Sequence, residues 1–211
     1  VTNTPGAVTD ATADVAMTLM LMSARRAGEG ERMVRAGKWE GWHPTQMLGL
    51  HLTGKAVGIV GMGRIGQAIA QRCHLGFGMS VHYFSRSEKA LAFEAQRHGD
   101  LKAMAAQVDV LVTAVPGSAE TRHIIDADIL GAMQSHARLI NIARGDVVSQ
   151  AALIDVYEFE PDVPDALRAM DNVVLLPHLG TSTEEVRVDM GLMMVANLQA
   201  ALRGDTPPNP V

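Results

Sequence analysis

Short apolar runs alternate with amphipathic stretches along the chain, and each apolar run has the length of a single strand. Valine, isoleucine and leucine fill these runs almost continuously, which is typical of parallel strands in a sheet covered by helices on both faces. The pattern therefore predicts an α/β protein with a doubly wound parallel sheet. The predicted strands are residues 55–60, 80–84, 108–115, 137–142 and 173–176.

Amphipathic stretches of helical composition separate the apolar runs. The first begins with Asp10 and Asp14, whose negative charges suit the positive end of a helix dipole. It is followed by Trp39, Gly41 and Trp42, which predict an extended arm rather than a core element. The predicted helices are residues 10–37, 67–74 and 87–98, and the arm is residues 38–44.

Two connections are too short for a parallel crossover, which must climb one strand and return along a helix. Between residues 142 and 155 the only helical candidate is residues 149–154. Six helical residues rise about 9 Å, whereas a five-residue strand spans about 17 Å. We therefore predict that residues are absent between 154 and 155. Residues 87–107 resemble two helices with no strand between them, which predicts a second absence there.

Composition excludes several classes of protein. Of the 211 residues, 47% are hydrophobic and 19% charged, which predicts a sizeable buried core rather than disorder. The net charge of -5 argues against nucleic acid or an anionic membrane as a partner. The longest apolar helical run, residues 15–22, is too short to span a bilayer. The lone Cys73 excludes an intrachain disulfide and a cysteine-rich zinc site, and a reduced, cytoplasmic setting is expected.

A glycine-rich turn follows the first apolar run. Gly61, Gly63 and Gly66 form a G-x-G-x-x-G pattern, with Arg64 and Ile65 before the last glycine. The pattern is informative only between a strand and a helix, and both are predicted here. The glycines allow a tight turn, close approach of a pyrophosphate and close packing of the helix, whose free N–H groups face the phosphates. These five residues predict a Rossmann dinucleotide site, and the alternative is a purely structural turn.

The end of the second apolar run bears on the choice of cofactor. NAD-preferring sites usually carry an acidic residue there for the ribose hydroxyls, but this chain has Ser85, Arg86 and Ser87, with no carboxylate before Glu88. The serines can donate hydrogen bonds, and the arginine offers a planar cation to a 2′-phosphate. The segment therefore predicts that NADPH is preferred over NADH, and a solvated turn is the alternative.

Polar residues also gather in three segments at the ends of later strands, where a doubly wound sheet forms its crevice. A histidine there can transfer a proton near neutral pH, and a nearby carboxylate favours its charged form. An arginine can bind a substrate carboxylate and polarise a carbonyl. His178, Glu160 and Arg144 are the candidates, although each taken singly is equally compatible with a structural role. The segments are residues 141–146, 155–161 and 176–181.

Taken together, these motifs closely resemble the D-isomer-specific 2-hydroxyacid dehydrogenases, in particular the glyoxylate/hydroxypyruvate reductase branch. The resemblance implies that Arg144, Glu160 and His178 are the catalytic residues, and that a small 2-oxo acid is reduced with NADPH and no metal. Thr12 is a weaker site candidate. The resemblance also implies cofactor contacts at Pro116, Thr121, Ile142, Ala143, Asp155 and Gly180. It rests on residues 2–5, 11–14, 60–66, 141–145, 155–161 and 176–180, and on the arm.

The resemblance also implies how the chain is organised. Residues 1–182 correspond to the dinucleotide-binding domain, and residues 183–211 to a helix and tail that return to a second domain. Most of that domain, a flavodoxin-like substrate domain, precedes Val1 in family members and is missing from this sequence. A helix and a strand are missing between 154 and 155. Family members also dimerise through the region of residues 10–50, so a homodimer is expected.

Two alternatives to this function are open. One is a related enzyme of the phosphoglycerate or phosphite dehydrogenase type, although Ser85 and Arg86 differ from the acidic residue of many such members. The other is a dinucleotide-sensing scaffold, as in corepressors of the same fold. Nothing in the sequence indicates a peptide-docking cleft, which disfavours the scaffold.

Overall fold

A computed structural model describes residues 1–149, 153–154, 162–163, 165–168, 170 and 173–211. Its centre is one parallel sheet of six strands in the order β3-β2-β1-β4-β5-β6, which confirms the predicted α/β architecture. The strands are β1 (Ala56–Val60), β2 (Ser80–Phe84), β3 (Ala95–His98), β4 (Val110–Thr113), β5 (Arg138–Asn141) and β6 (Leu153–Ile154).

The strand order reverses at β1. Its Val57 lies opposite Val81 of β2 on one side and Val110 of β4 on the other, and all three strands run in the same direction. In such a sheet the crevice between β1 and β4 opens at the carboxyl ends of the strands, where loops leave in opposite directions. A binding site is therefore expected at this edge of the sheet.

Helices cover both faces of the sheet. Alternate residues of β1 separate the two cores, because Ile59 packs with α1 and α3 whereas Val60 packs with α4 and α5. Within the described ranges, no helix is both long enough and apolar enough to cross a lipid bilayer. The helices are α1 (Thr9–Ala24), α2 (Ala27–Arg35), α3 (Arg64–Phe77), α4 (Leu101–Ala105), α5 (Ala127–Ala132), α6 (Asp165–Arg168) and α7 (Glu184–Arg203).

The single helix predicted over residues 10–37 is divided into α1 and α2. Arg26 lies between them with φ of 53°, a left-handed conformation through which an α-helix does not continue. Its guanidinium pairs with Glu29 of α2 at 2.7 Å, an interaction between neighbours that composition alone does not reveal.

The helix predicted over residues 87–98 is wrong. No helix lies between β2 and β3, and Ala95–His98 forms a strand in which Arg97 is opposite Tyr83 of β2. This strand is at the edge of the sheet and has a buried side chain only at His98, so it lacks the apolar run of a central strand. The strand that seemed lacking between residues 87 and 107 is therefore present.

The last part of the sheet also differs from expectation. The predicted helix over residues 149–154 ends instead in β6, whose Leu153 is opposite Ile140 and thus occupies the free edge of β5. Residues 173–176 lie outside the six-stranded sheet, although Val173 is buried. Residues 155–161 are outside the described part of the chain, and an absence of residues before Asp155 stays a prediction.

Candidate active site

The glycine turn between β1 and α3 accepts no side chain at two of its positions. Gly61 has φ of 100°, and a Cβ there would lie 2.7 Å from the carbonyl oxygen of Ala114. A Cβ on Gly66 would overlap sterically with the carbonyl oxygen of Gly61. The turn is therefore as tight as the motif predicts, and α3 begins close against β1.

The first turn of α3 faces open space. Gly63 precedes the helix, no side chain caps its first N–H groups, and a Cβ on Gly63 would meet no atom within 4 Å. Arg64 is exposed and Ile65 is half-buried beside it. Uncapped amide donors, a positive dipole end and room for a ligand all suit a pyrophosphate. The residues present thus fit a dinucleotide.

Ser85, Arg86 and Ser87 form a turn directly after β2. The Ser85 hydroxyl donates to the carbonyl of Ser87, and the Arg86 side chain is 93% exposed, with Glu120 4.0 Å away. Arg97 of β3 also reaches the turn, because its Nη2 donates to the carbonyl oxygens of Ser85 and Arg86. Sequence reasoning missed Arg97 because its strand was taken for a helix.

The loop after β4 is closed by its own side chains. Thr121 Oγ1 donates to the carbonyl of Pro116 over 2.7 Å and accepts from the amide of Ser118 over 2.9 Å. Gly117 packs against Arg144, since a Cβ on that glycine would lie 2.9 Å from the arginine Cγ. The loop therefore lies between the glycine turn and the turn that carries Arg144.

A buried polar pair supports the Arg144 turn. Thr113 and Asn141, both fully buried, end β4 and β5, and the threonine hydroxyl donates to Asn141 Oδ1 over 2.6 Å. The same Oδ1 accepts from the amide of Ala143, and Asn141 Nδ2 donates to the carbonyl of Arg144 over 2.9 Å. Ile142 and Ala143 are buried, whereas the Arg144 side chain is exposed. Two polar residues closing adjacent apolar strands were the available signal for this pair.

The His178 loop is tied to α1. His178 is exposed and has φ of 54°, an uncommon conformation for a residue with a side chain. Two residues later, the buried carbonyl of Gly180 accepts a hydrogen bond from Thr12 Oγ1 over 3.1 Å. Thr12 thus anchors the loop. Glu160 and Asp155 lie outside the described residues.

Four of the predicted site segments meet at one edge of the sheet. The glycine turn follows β1, the Ser85–Ser87 turn follows β2, and the loop of Pro116 and Thr121 follows β4. The Arg144 turn follows β5. Because these strands are parallel and adjacent, their carboxyl ends lie side by side. The arrangement is a crevice with backbone amides that can bind phosphate at the start of α3, and with the exposed Arg144 after β5.

Comparison with known proteins places this crevice in a family context. Residues 17–180 match the family model described as D-isomer specific 2-hydroxyacid dehydrogenase, NAD binding domain. Glyoxylate reductase from Thermococcus litoralis is 44% identical over 228 residues, covering 99% of this chain and 69% of that protein. Since this chain has 211 residues, the relative carries residues inside the matched region that have no counterpart here.

Two further comparisons point the same way. Glyoxylate/hydroxypyruvate reductase B from Pectobacterium atrosepticum is 43% identical over 223 residues, covering 98% of this chain and 70% of that protein. The crystal structure of an NADPH-dependent glyoxylate/hydroxypyruvate reductase from Sinorhizobium meliloti, in complex with NADP and malonate, superposes with a TM-score of 0.91. The two share 37% identity, and the match covers 100% of this chain and 70% of that one.

Proposed function

The chain belongs to the D-isomer specific 2-hydroxyacid dehydrogenases, NAD(P)-dependent oxidoreductases, and from this premise we propose that it reduces glyoxylate or hydroxypyruvate with NADPH. Relatives named for these substrates support the choice of substrate. The observation that carries the proposal is the series of contacts along the crevice. Gly61 abuts Val115, and Gly117 abuts Arg144, so the loop after β4 links the dinucleotide turn to an exposed arginine.

The proposed roles follow from the chemistry of each side chain. Arg144 binds the substrate carboxylate through its forked N–H donors and draws electron density from the carbonyl oxygen. His178, as imidazolium, donates a proton to that oxygen, and Glu160 holds the histidine charged and oriented. When bound, the nicotinamide cofactor supplies the hydride that the carbonyl carbon takes up.

The preference for NADPH rests on the turn after β2. Arg86 is almost fully exposed, and the Glu120 carboxylate is 4.0 Å away, so the guanidinium is accessible to a 2′-phosphate. No acidic residue stands between Phe84 and Glu88 to bind the ribose hydroxyls of NADH. The Sinorhizobium meliloti structure, solved with NADP, supports the same choice.

Turnover by the whole protein tests the proposal. We expect loss of NADPH absorbance on addition of glyoxylate or hydroxypyruvate, and a lower kcat/KM with NADH. His178→Ala should lower kcat by about 10²–10⁴-fold because the proton donor is lost, with the Kd for NADPH retained. His51→Ala, an exposed histidine before β1, is the matched control.

Two results would contradict the proposal. Turnover confined to 3-phosphoglycerate or phosphite would identify one of the related dehydrogenases instead. Dinucleotide binding without turnover of any 2-oxo acid would identify a sensing scaffold.

We also propose a homodimer formed through residues 10–50. Trp39 and Trp42 are 53% and 80% exposed on the segment that follows α2. Leu48, in the same segment, is exposed as well. Exposed aromatic residues of this kind are enriched at protein interfaces, because they bury a large apolar area at low conformational cost.

A further inference from the structure

The Arg97 side chain holds the turn after β2 through hydrogen bonds to backbone carbonyls of the turn. It lies on β3 opposite Tyr83, two residues before the turn, and its Nη2 is 3.2 Å from the carbonyl oxygen of Ser85 and 3.2 Å from that of Arg86. One planar group thus bridges two consecutive carbonyls. The bridge fixes the peptide that carries the Arg86 side chain.

The positive charge of Arg97 also lies beside the turn. Its hydrogen-bond partners are neutral carbonyls, and within the described part of the chain it forms no ion pair with a carboxylate. The side chain is exposed, as are those of Arg86 and Ser87 beside it. Two guanidinium groups therefore stand at one turn, and the Glu120 carboxylate is 4.0 Å from the guanidinium of Arg86.

We propose that Arg97 is a specificity-determining residue for the 2′-phosphate of NADPH, acting as a second cation and as the positioning residue of the Ser85–Ser87 turn. A phosphate monoester carries a charge of about -1.5 to -2 at pH 7, more than one arginine neutralises. A bridged, fixed turn also spares the cost of ordering Arg86 when the phosphate binds. The inference rests on the proposed use of NADPH.

Two adenosine nucleotides isolate the 2′-phosphate without any turnover. Adenosine 2′,5′-bisphosphate differs from 5′-AMP by that group alone, so the ratio of their Kd values, measured by calorimetric titration of the whole protein, reports its recognition. We expect Arg97→Ala to weaken binding of the bisphosphate by about tenfold or more while changing that of 5′-AMP less than about twofold.

Matched variants separate charge from positioning. Arg97→Lys keeps the charge but not the planar bridge. Its affinity for the bisphosphate should therefore lie between those of the parent and Arg97→Ala. Gln96→Ala, an exposed neighbour on the same strand, should leave both Kd values unchanged. If Arg97 acts partly through Arg86, removing it from an Arg86→Ala protein should cost less than removing it from the parent.

The outcomes distinguish this inference from the proposed function. If the parent binds both nucleotides equally, the NADPH proposal fails and the role of Arg97 fails with it. If Arg86→Ala abolishes the preference but Arg97→Ala leaves it intact, only the Arg97 inference is overturned. If Arg97→Ala weakens the binding of both nucleotides equally, Arg97 has only a structural role, and the inference is overturned too. Should that variant not fold, Arg97→Lys decides by the same ratio.

Discussion

Asn141 does more at the site than its buried position suggests. Its amide group joins Thr113 on one side to the amide of Ala143 and the carbonyl of Arg144 on the other, so three backbone and side-chain groups share one residue. Burying so many polar atoms is favourable only when all are paired. Because Arg144 is proposed to bind the substrate carboxylate, a substitution at Asn141 should weaken substrate binding.

Asn141→Ala should therefore lower kcat/KM for the 2-oxo acid by about 10–10²-fold, chiefly through KM, with the Kd for NADPH little changed. The unpaired groups should also cost about 1–3 kcal/mol in the free energy of unfolding. Thr113→Val, which leaves the bonds from Asn141 to the turn, should have a smaller effect on both. Steady-state kinetics and urea unfolding measure these changes.

A double-mutant cycle separates positioning from stability. In an Arg144→Ala protein, Asn141→Ala should lower kcat/KM little further, because the residue through which it acts is already gone. An equal loss in both backgrounds would show that Asn141 does not act through Arg144.

At the scale of elements, the glycine motif that joins β1 to α3 needs Gly63, before the helix, and Gly66, in its first turn, for different reasons. Gly63 has φ of -79°, which any residue adopts, and faces open space, whereas a Cβ on Gly66 would collide with the Gly61 carbonyl. Gly63→Ala should leave the unfolding free energy within about 1 kcal/mol of the parent yet weaken dinucleotide binding. Gly66→Ala should instead lower stability by more than about 1 kcal/mol. Thermal unfolding and NADPH titration check the contrast, and a stability loss at Gly63 would contradict it.

At the opposite end of the strands, where β1 and β4 begin, a carboxylate holds the two strands together. Asp109, just before β4, accepts from the amide of Ala56 over 2.9 Å and from His136 Nε2 over 2.7 Å, with Lys55 Nζ 3.5 Å away. Burial alone would raise the pKa of Asp109, but the Ala56 amide, His136 and Lys55 outweigh it and hold the pKa below its ordinary value. The ionised carboxylate therefore stabilises the fold by tying β1 and β4 together.

Its contribution depends on pH in a defined direction. Since the pKa of Asp109 is lower in the folded chain, the stabilisation is present above the unfolded value of about 3.9 and is lost as the pH falls through the folded pKa. Asp109→Asn should cost about 1–3 kcal/mol at pH 7, and less at about pH 3. Asp128→Asn, which removes an exposed ion pair with Lys102, is the control and should change little. A penalty independent of pH would contradict the assignment.

These elements also show where sequence reasoning succeeds. β1, β4 and β5 were predicted because central strands bury aliphatic residues on both faces, and β2 has the predicted limits. The glycine turn, the Ser85–Ser87 turn, the loop of Pro116 and Thr121, and the Arg144 turn each follow one of these strands. β3 escaped because Ala95–His98 is defined by its pairing with β2 rather than by apolar residues. Arg97 was missed with it, since its role depends on a neighbouring strand.

At the scale of the whole molecule, two segments of the described chain each expose several large apolar side chains. One is the segment after α2 that holds Trp39 and Trp42. The other is α7, where Val188, Leu192 and Leu198 are exposed. The chain spans about 70% of the length of the relatives it matches. The prediction that α7 meets a substrate domain and the proposal that the tryptophan segment meets a second copy thus assign the two surfaces to different partners.

This assignment predicts that a substitution on the tryptophan segment weakens the dimer, whereas a matched substitution on α7 does not. The whole protein should be a dimer by light scattering at micromolar concentration. Trp42→Ala should raise the dissociation constant of the dimer by at least about tenfold, because a central interfacial tryptophan commonly contributes more than about 1.4 kcal/mol. Leu192→Ala on α7 should leave the dimer intact, since that face is expected to pack within one subunit. A monomeric parent would contradict the homodimer, and a dimer weakened only by Leu192→Ala would place the interface on α7 instead.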